Sequence, residues 1–168
     1  LRLLVNSASV FDDDTALNHT RESWDLHFDA NLRAPIALTQ AFALALPGDQ
    51  KGLVVNVIDQ RVWKLNPQFF SYTLSKAALL TAMKTLAQSL APNIRVNGIG
   101  PGPTLASVHQ SEEEFEAERR ATLTQEGSRP EEIVRALRYL IEADSVTGQM
   151  IATDGGQHLM WQTPDTQV

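Results

Sequence analysis

The strongest constraint on how this chain can fold is its alternation of short apolar runs rich in β-branched residues with longer segments of helical spacing. The runs are residues 3–5, 53–58, 94–99 and 150–152, rich in Val, Ile and Leu. Apolar side chains at consecutive positions, rather than at every second one, mark strands covered on both faces. Between the runs, residues 21–46, 72–90 and 130–141 carry apolar side chains at intervals of three and four, the period of a helix with one buried stripe. Strand and helix in alternation imply right-handed βαβ crossovers and a mainly parallel sheet with helices on both sides, so the fold class is α/β. With 168 residues, 43% of them hydrophobic, the chain is the size of one domain.

Helix starts can be read at three places. Thr20 is a cap candidate with Glu22 and Ser23 behind it, short of a full capping box. Ser128 followed by Pro130-Glu131-Glu132 offers a cap, a first-turn proline and two acids toward the positive end of the helix dipole. Ser111 with Glu112 to Glu114 reads as a solvated helix start, and Asp12-Asp13-Asp14 as a solvated loop lacking the glycine and glutamate of a calcium site.

A net charge of -6 without a Lys/Arg cluster argues against nucleic acid. The absence of cysteine removes disulfides and thiol chemistry and makes cytoplasm the default. No run reaches the ~18 apolar residues of a membrane span, and residues 1–5 read as a strand under way rather than a signal peptide. His19, His27 and His109 stand in separate segments without a carboxylate at ligand spacing, so no metal site is expected.

The chemistry concentrates in Ser71-Tyr72-Thr73-Leu74-Ser75-Lys76. Four residues apart on a helix places Tyr72 and Lys76 on one face. A phenol is a poor acid-base group near neutrality unless a cation stabilises its phenolate, and Lys76 can be that cation. Such a pair can hand a proton to an atom that turns basic as hydride arrives.

These residues sit among four other motifs. Val5-Asn6-Ser7-Ala8-Ser9 resembles the Asn-Asn-Ala-Gly segment closing the fourth strand of short-chain dehydrogenases/reductases, and Asn31 matches that family's helix asparagine. Residues 95–102, Arg-Val-Asn-Gly-Ile-Gly-Pro-Gly, resemble the strand and turn over the nicotinamide, and residues 147–156 resemble the last strand and its exit. The resemblance implies a Rossmann-like, doubly wound parallel sheet. It implies cofactor contacts from Asn6, Ala8, Ser9, Tyr72, Lys76, Pro101, Gly102, Pro103 and Thr104. The family's glycine-rich turn, which seats the pyrophosphate, is absent from these residues, and an N-terminal part of about three strands is expected to precede residue 1.

Asp59 departs from the family pattern. Thirteen positions before Tyr72 the family carries a serine that donates to a substrate carbonyl, and an ionised aspartate cannot donate. It can accept from ring N–H or amino groups, or deliver a proton if burial raises its pKa. The substitution is similar to the pteridine-reductase branch, as are Ser9-Val10-Phe11 and Gly100 to Leu105. By that resemblance Phe11 stacks on a pterin, Asp59 and Tyr72 manage protons, Lys76 and Asn31 support the tyrosine, NADPH is the cofactor, and the assembly is a homotetramer. Two alternatives stay open: a reductase of another carbonyl or imine, and a lapsed member acting as a binding or oligomerisation module. Trp63 could wall the pocket or cover a sheet edge, Phe11 could plug core, and His158 and Trp161 read as core or interface residues.

Overall fold

All four apolar runs become strands of one parallel sheet in the computed structural model, which describes residues 1–108 and 110–166. They are β1 (Leu3–Asn6), β2 (Gly52–Val57), β3 (Ile94–Pro101) and β4 (Met150–Thr153), hydrogen-bonded in that order. The helices are α1 (Arg21–Phe28), α2 (Ala34–Ala45), α3 (Phe70–Leu90), α4 (Glu112–Arg120) and α5 (Pro130–Glu142). His109 and the end of the tail expected over residues 162–168 lie outside the described residues.

Consecutive side chains of β2 point to opposite faces, and each face has its own core. Val54 packs with Ile58, Phe42, Leu79, Met83 and Val96 under α2 and α3. Leu53 and Val55 pack with Ile99, Ala136 and Leu140 under α5. This two-sided burial is why the runs are dominated by apolar residues, and it confirms the doubly wound α/β reading. Part of the 95–102 motif is structural. The Arg95 guanidinium donates to Leu140 O at 2.9 Å and Val146 O at 3.1 Å, closing the end of α5, and Asn97 bonds Val146 O and Gln149 N.

Three local expectations are corrected. The helix expected over 21–46 is interrupted at Asp29–Arg33 by a π-helical turn that carries the fully buried Asn31, the type of bulge that often re-aims a functional residue. Thr20 and Ser23 form a complete reciprocal capping box, each backbone N–H donating to the other's hydroxyl at 3.1 Å, because the serine reaches back as a glutamate would. The cap of α5 is Arg129 rather than Ser128: Glu132 accepts the Arg129 N–H at 3.1 Å, while Ser128 is buried one residue earlier, its N–H bonded to Pro103 O.

Candidate active site

In parallel sheets of this kind, ligand sites form beyond the carboxyl ends of the strands. Here a cavity of about 830 Å³ opens there, lined by Phe11 beyond β1, Asp59 beyond β2, Tyr72 of α3, residues 101–105 at the end of β3, and Glu118 of α4. The expected site residues Phe11, Asp59, Tyr72, Pro101, Gly102, Pro103 and Thr104 thus converge on one space. Asn6, Ala8, Ser9, Asn31 and Lys76 are not among its lining residues.

The centre is a short contact: the Tyr72 hydroxyl donates to Asp59 Oδ2 at 2.6 Å. Asp59 Oδ1 accepts the Arg61 backbone N–H at 2.7 Å, an N-cap that holds the carboxylate at the start of a short 3₁₀ turn, Gln60–Val62. Burial pushes the Asp59 carboxyl above the usual carboxylate range, against the opposing hydrogen bonds from Tyr72 and Arg61 and the charges of Arg61 and Lys76. Burial, then the Asp59 charge and hydrogen bond, push Tyr72 well above an ordinary phenol. Expectation had Lys76 holding a phenolate. Instead Lys76 Nζ donates to Val57 O at 3.0 Å, its charge sits 5.8 Å from the Tyr72 ring centre, and Asp59 is the group that meets the hydroxyl. Tyr72 is therefore held as a protonated acid. Burial brings Lys76 itself down to about 8, with Asp59 opposing the fall.

Asn31 acts through the loop after β1. Its Oδ1 accepts from Val10 N at 2.8 Å and Ser9 Oγ at 3.0 Å, and its Nδ2 donates to Val10 O and Ser75 Oγ. It ties the Ser9–Phe11 turn to α3, one turn of helix from Tyr72. Phe11 is thereby aimed into the cavity, stacked on Phe69 with centroids 4.0 Å apart and edge-on to Tyr72 at 4.7 Å. Gly102 permits the close approach of the β4 exit, since a Cβ there would stand 2.7 Å from Asp154 Cα. Trp63 leans on His158, centroids 5.1 Å apart, and the His158 ring bonds Asp154 Oδ2 at 2.6 Å.

One cluster escaped the sequence reading. Asp14 is buried, not solvated: its Oδ1 accepts the Ser71 N–H at 2.9 Å, and its Oδ2 accepts from the Ser71 hydroxyl in a very short bond and from Ser23 Oγ at 3.1 Å. Burial alone would raise the Asp14 carboxyl, but the Ser71 and Ser23 hydrogen bonds together hold it below the usual range. The fully buried His27 accepts the Asp12 N–H at Nε2, 3.1 Å, which assigns its proton to Nδ1, shared between Ser71 Oγ at 2.7 Å and Ser23 O at 2.9 Å. The cluster pins the first turn of α3 next to Tyr72. Asp14 and His27 lie 57 and 44 residues from Ser71 in sequence, and the local signal was only a serine and a histidine, Ser23 and His27, four residues apart on one face of α1. No group of three potential metal ligands occurs among the described residues, and no helix is long and apolar enough to cross a membrane.

Comparison with known proteins matches this geometry to a family. A model of that family, described as enoyl-(acyl carrier protein) reductase, matches residues 1–158. The chain belongs to the short-chain dehydrogenase/reductase family. It is 32% identical over 161 residues to a 3-oxoacyl-[acyl-carrier-protein] reductase of Thermotoga maritima, covering 92% of this chain and 65% of that protein. Among solved structures, FolM alternative dihydrofolate reductase 1 of Brucella suis, in complex with NADP, superposes with a TM-score of 0.96 at 56% identity, covering 98% of this chain and 67% of that one. The Brucella canis protein, also with NADP, gives a TM-score of 0.96 at 56% identity over 99% and 67%. The chain is thus related to dihydrofolate reductases of the FolM kind and spans about two thirds of their length.

Proposed function

We propose that this chain carries the catalytic residues of an NADPH-dependent oxidoreductase that reduces a pterin, a dihydropterin or dihydrofolate-like molecule. The observation that carries the reading is the 2.6 Å bond between Tyr72 and the buried Asp59. In place of a hydroxyl that donates to a ketone, the site presents a carboxylate that accepts from an amino group or ring N–H. Asp59 and Tyr72 hold a proton between them, both pushed upward by burial, and can pass it to a ring nitrogen as that atom becomes basic. Phe11 offers a flat apolar face beside the pair, suited to a planar heterocycle.

The residues fit the cofactor. Asn6 Oδ1, at the carboxyl end of β1, is a buried acceptor without a described partner, and the Lys76 ammonium has donors beyond its bond to Val57 O. Asn6, Ala8 and Ser9 on one side and Pro101 to Thr104 on the other would flank NADPH, with Tyr72 and Lys76 toward its ribose. When bound, NADPH supplies the hydride. The NADP complexes of the two FolM relatives support NADPH over NADH. A homotetramer in the cytoplasm belongs to the same reading, with size-exclusion chromatography coupled to light scattering as its check.

The test is NADPH oxidation by the complete protein with dihydrobiopterin, dihydrofolate and a simple ketone, with Asp59→Ser in parallel. The reading requires turnover of a dihydropterin and little of the ketone in the parent protein. Turnover of the ketone with inert dihydropterins overturns it, and failure to bind NADPH favours a lapsed binding module.

A further inference from the structure

Among the described residues lining the cavity, Arg61 is the only lysine or arginine, set among the carboxylates Asp13, Asp59, Glu114 and Glu118. Its backbone is committed to Asp59, but its guanidinium points elsewhere. The head group lies 5.1 Å from the centre of the Phe69 ring and 5.9 Å from that of Phe11. One nitrogen, Nη1, donates to Asn66 Oδ1 at 2.8 Å, and the same oxygen accepts the Gln68 N–H at 3.0 Å, so the holder is itself fixed by its loop. Both supports are neutral. No carboxylate among the described residues stands within ion-pair distance of the Arg61 guanidinium. A planar cation over aromatic rings, hydrogen-bonded to an amide and feeling Asp59 only at longer range, outside ion-pair distance, has donors left for bidentate capture of a carboxylate or phosphate.

Position says which part of a ligand would reach it. Phe11 meets Tyr72 edge-on at 4.7 Å, and the Arg61 head group lies 5.9 Å from the centre of the same ring. A flat ring engaged by Asp59 and Tyr72 beside Phe11 would therefore have Arg61 within reach of a substituent extending past that ring. Elsewhere the described lining is acidic and disfavours an anion, so Arg61 also dictates which way round such a ligand lies.

We propose that Arg61 is a specificity residue that binds the anionic tail of the substrate, making this site selective for carboxylate-bearing pterins of the folate type over tail-less pterins. The proposal rests on the pterin reading above. Neither Asp59 nor Tyr72 would recognise such a tail, and residues 104–108 on the opposite side present no cation.

The experiment measures kcat/KM for dihydrofolate and dihydrobiopterin with NADPH in the complete protein, its Arg61→Gln variant and its Arg61→Lys variant. Loss of a charge-assisted bidentate contact should lower the dihydrofolate-to-dihydrobiopterin ratio of kcat/KM by about tenfold or more in Arg61→Gln, through KM. Arg61→Lys should recover part of it, as a point charge without the fork. Equal losses for both substrates would overturn the proposal, because Arg61 would then act only through the Asp59–Tyr72 pair; an unchanged ratio would overturn it as well. Should the parent protein reduce no pterin, the functional reading fails separately, and calorimetric binding of p-aminobenzoylglutamate alone reads the anion site. Tighter binding to the parent than to Arg61→Gln keeps an anion site at Arg61, and equal binding removes it.

Discussion

The two walls of the cavity are built differently. The wall carrying Asp59 and Tyr72 rests on buried polar groups whose bonds run between distant segments: Asp14, His27 and Ser71 at the start of α3, and Asn31 between the Ser9–Phe11 turn and Ser75. Among the described residues, the facing wall, from Thr104 through α4 to Gly127, is held mostly by part-buried and exposed bonds. Glu118 accepts from Gln110 at 2.7 Å and Gln157 at 2.8 Å, Thr124 N bonds Gly155 O, and Leu105 and Val108 remain exposed. Proton transfer needs heavy atoms held within hydrogen-bond reach, which buried and satisfied networks provide. Recognition of a substrate body tolerates adjustment, which solvent-facing contacts of low local stability permit. The proposed chemistry thus falls on the wall built from buried networks.

That contrast can be broken in graded ways. Tyr72→Phe removes the acid and should lower kcat by about 10²–10⁴-fold with the fold intact, measured by steady-state NADPH oxidation. Asp59→Ser exchanges the acceptor for a donor. Dihydropterin kcat/KM should fall by about 10²-fold while ketone turnover rises, and an unchanged ratio of the two would show that Asp59 does not select substrate. Asp14→Ala strips the α3 cap and leaves buried donors unpaired, a loss of about 2–4 kcal/mol in urea denaturation, whereas Glu118→Gln on the other wall should cost under about 0.5 kcal/mol and raise KM a few-fold.

pH gives a further discriminator on the fixed wall. Lys76 is brought by burial to about 8, so activity that depends on its ammonium should decline above roughly that pH. Its folded value lies below its ordinary 10.5. Between the two the unfolded chain binds more protons, and stability should therefore rise with pH across that window. Lys76→Met should abolish both trends in pH-dependent kinetics and denaturation.

Much of this was legible in local pattern. Runs dominated by apolar residues identified β2 and β3 as two-sided strands, since both faces are buried, and the ends expected differ from those observed by one residue at β1, β2 and β4 and by two at β3. Tyr72 and Lys76 were picked out by type and spacing, and Asp59 by its resemblance to a family position, and the fold does bring them together. The π-helical turn at Asn31 was not legible, since it keeps the helical spacing of its neighbours and is selected by contacts to Val10 and Ser75.

By itself, then, the sequence determined the order of elements, the parallel α/β class and the candidate residues Asp59, Tyr72 and Lys76, because periodicity and residue chemistry are properties of neighbours along the chain. Only the tertiary structure decided that Lys76 turns to Val57 O, that Asp59 meets Tyr72, that an apparently solvated Asp14 is a buried cap, and that Arg61 lines the cavity outside ion-pair distance of any described carboxylate. Those outcomes depend on packing between segments tens of residues apart, where burial and a competing partner reset what each side chain does.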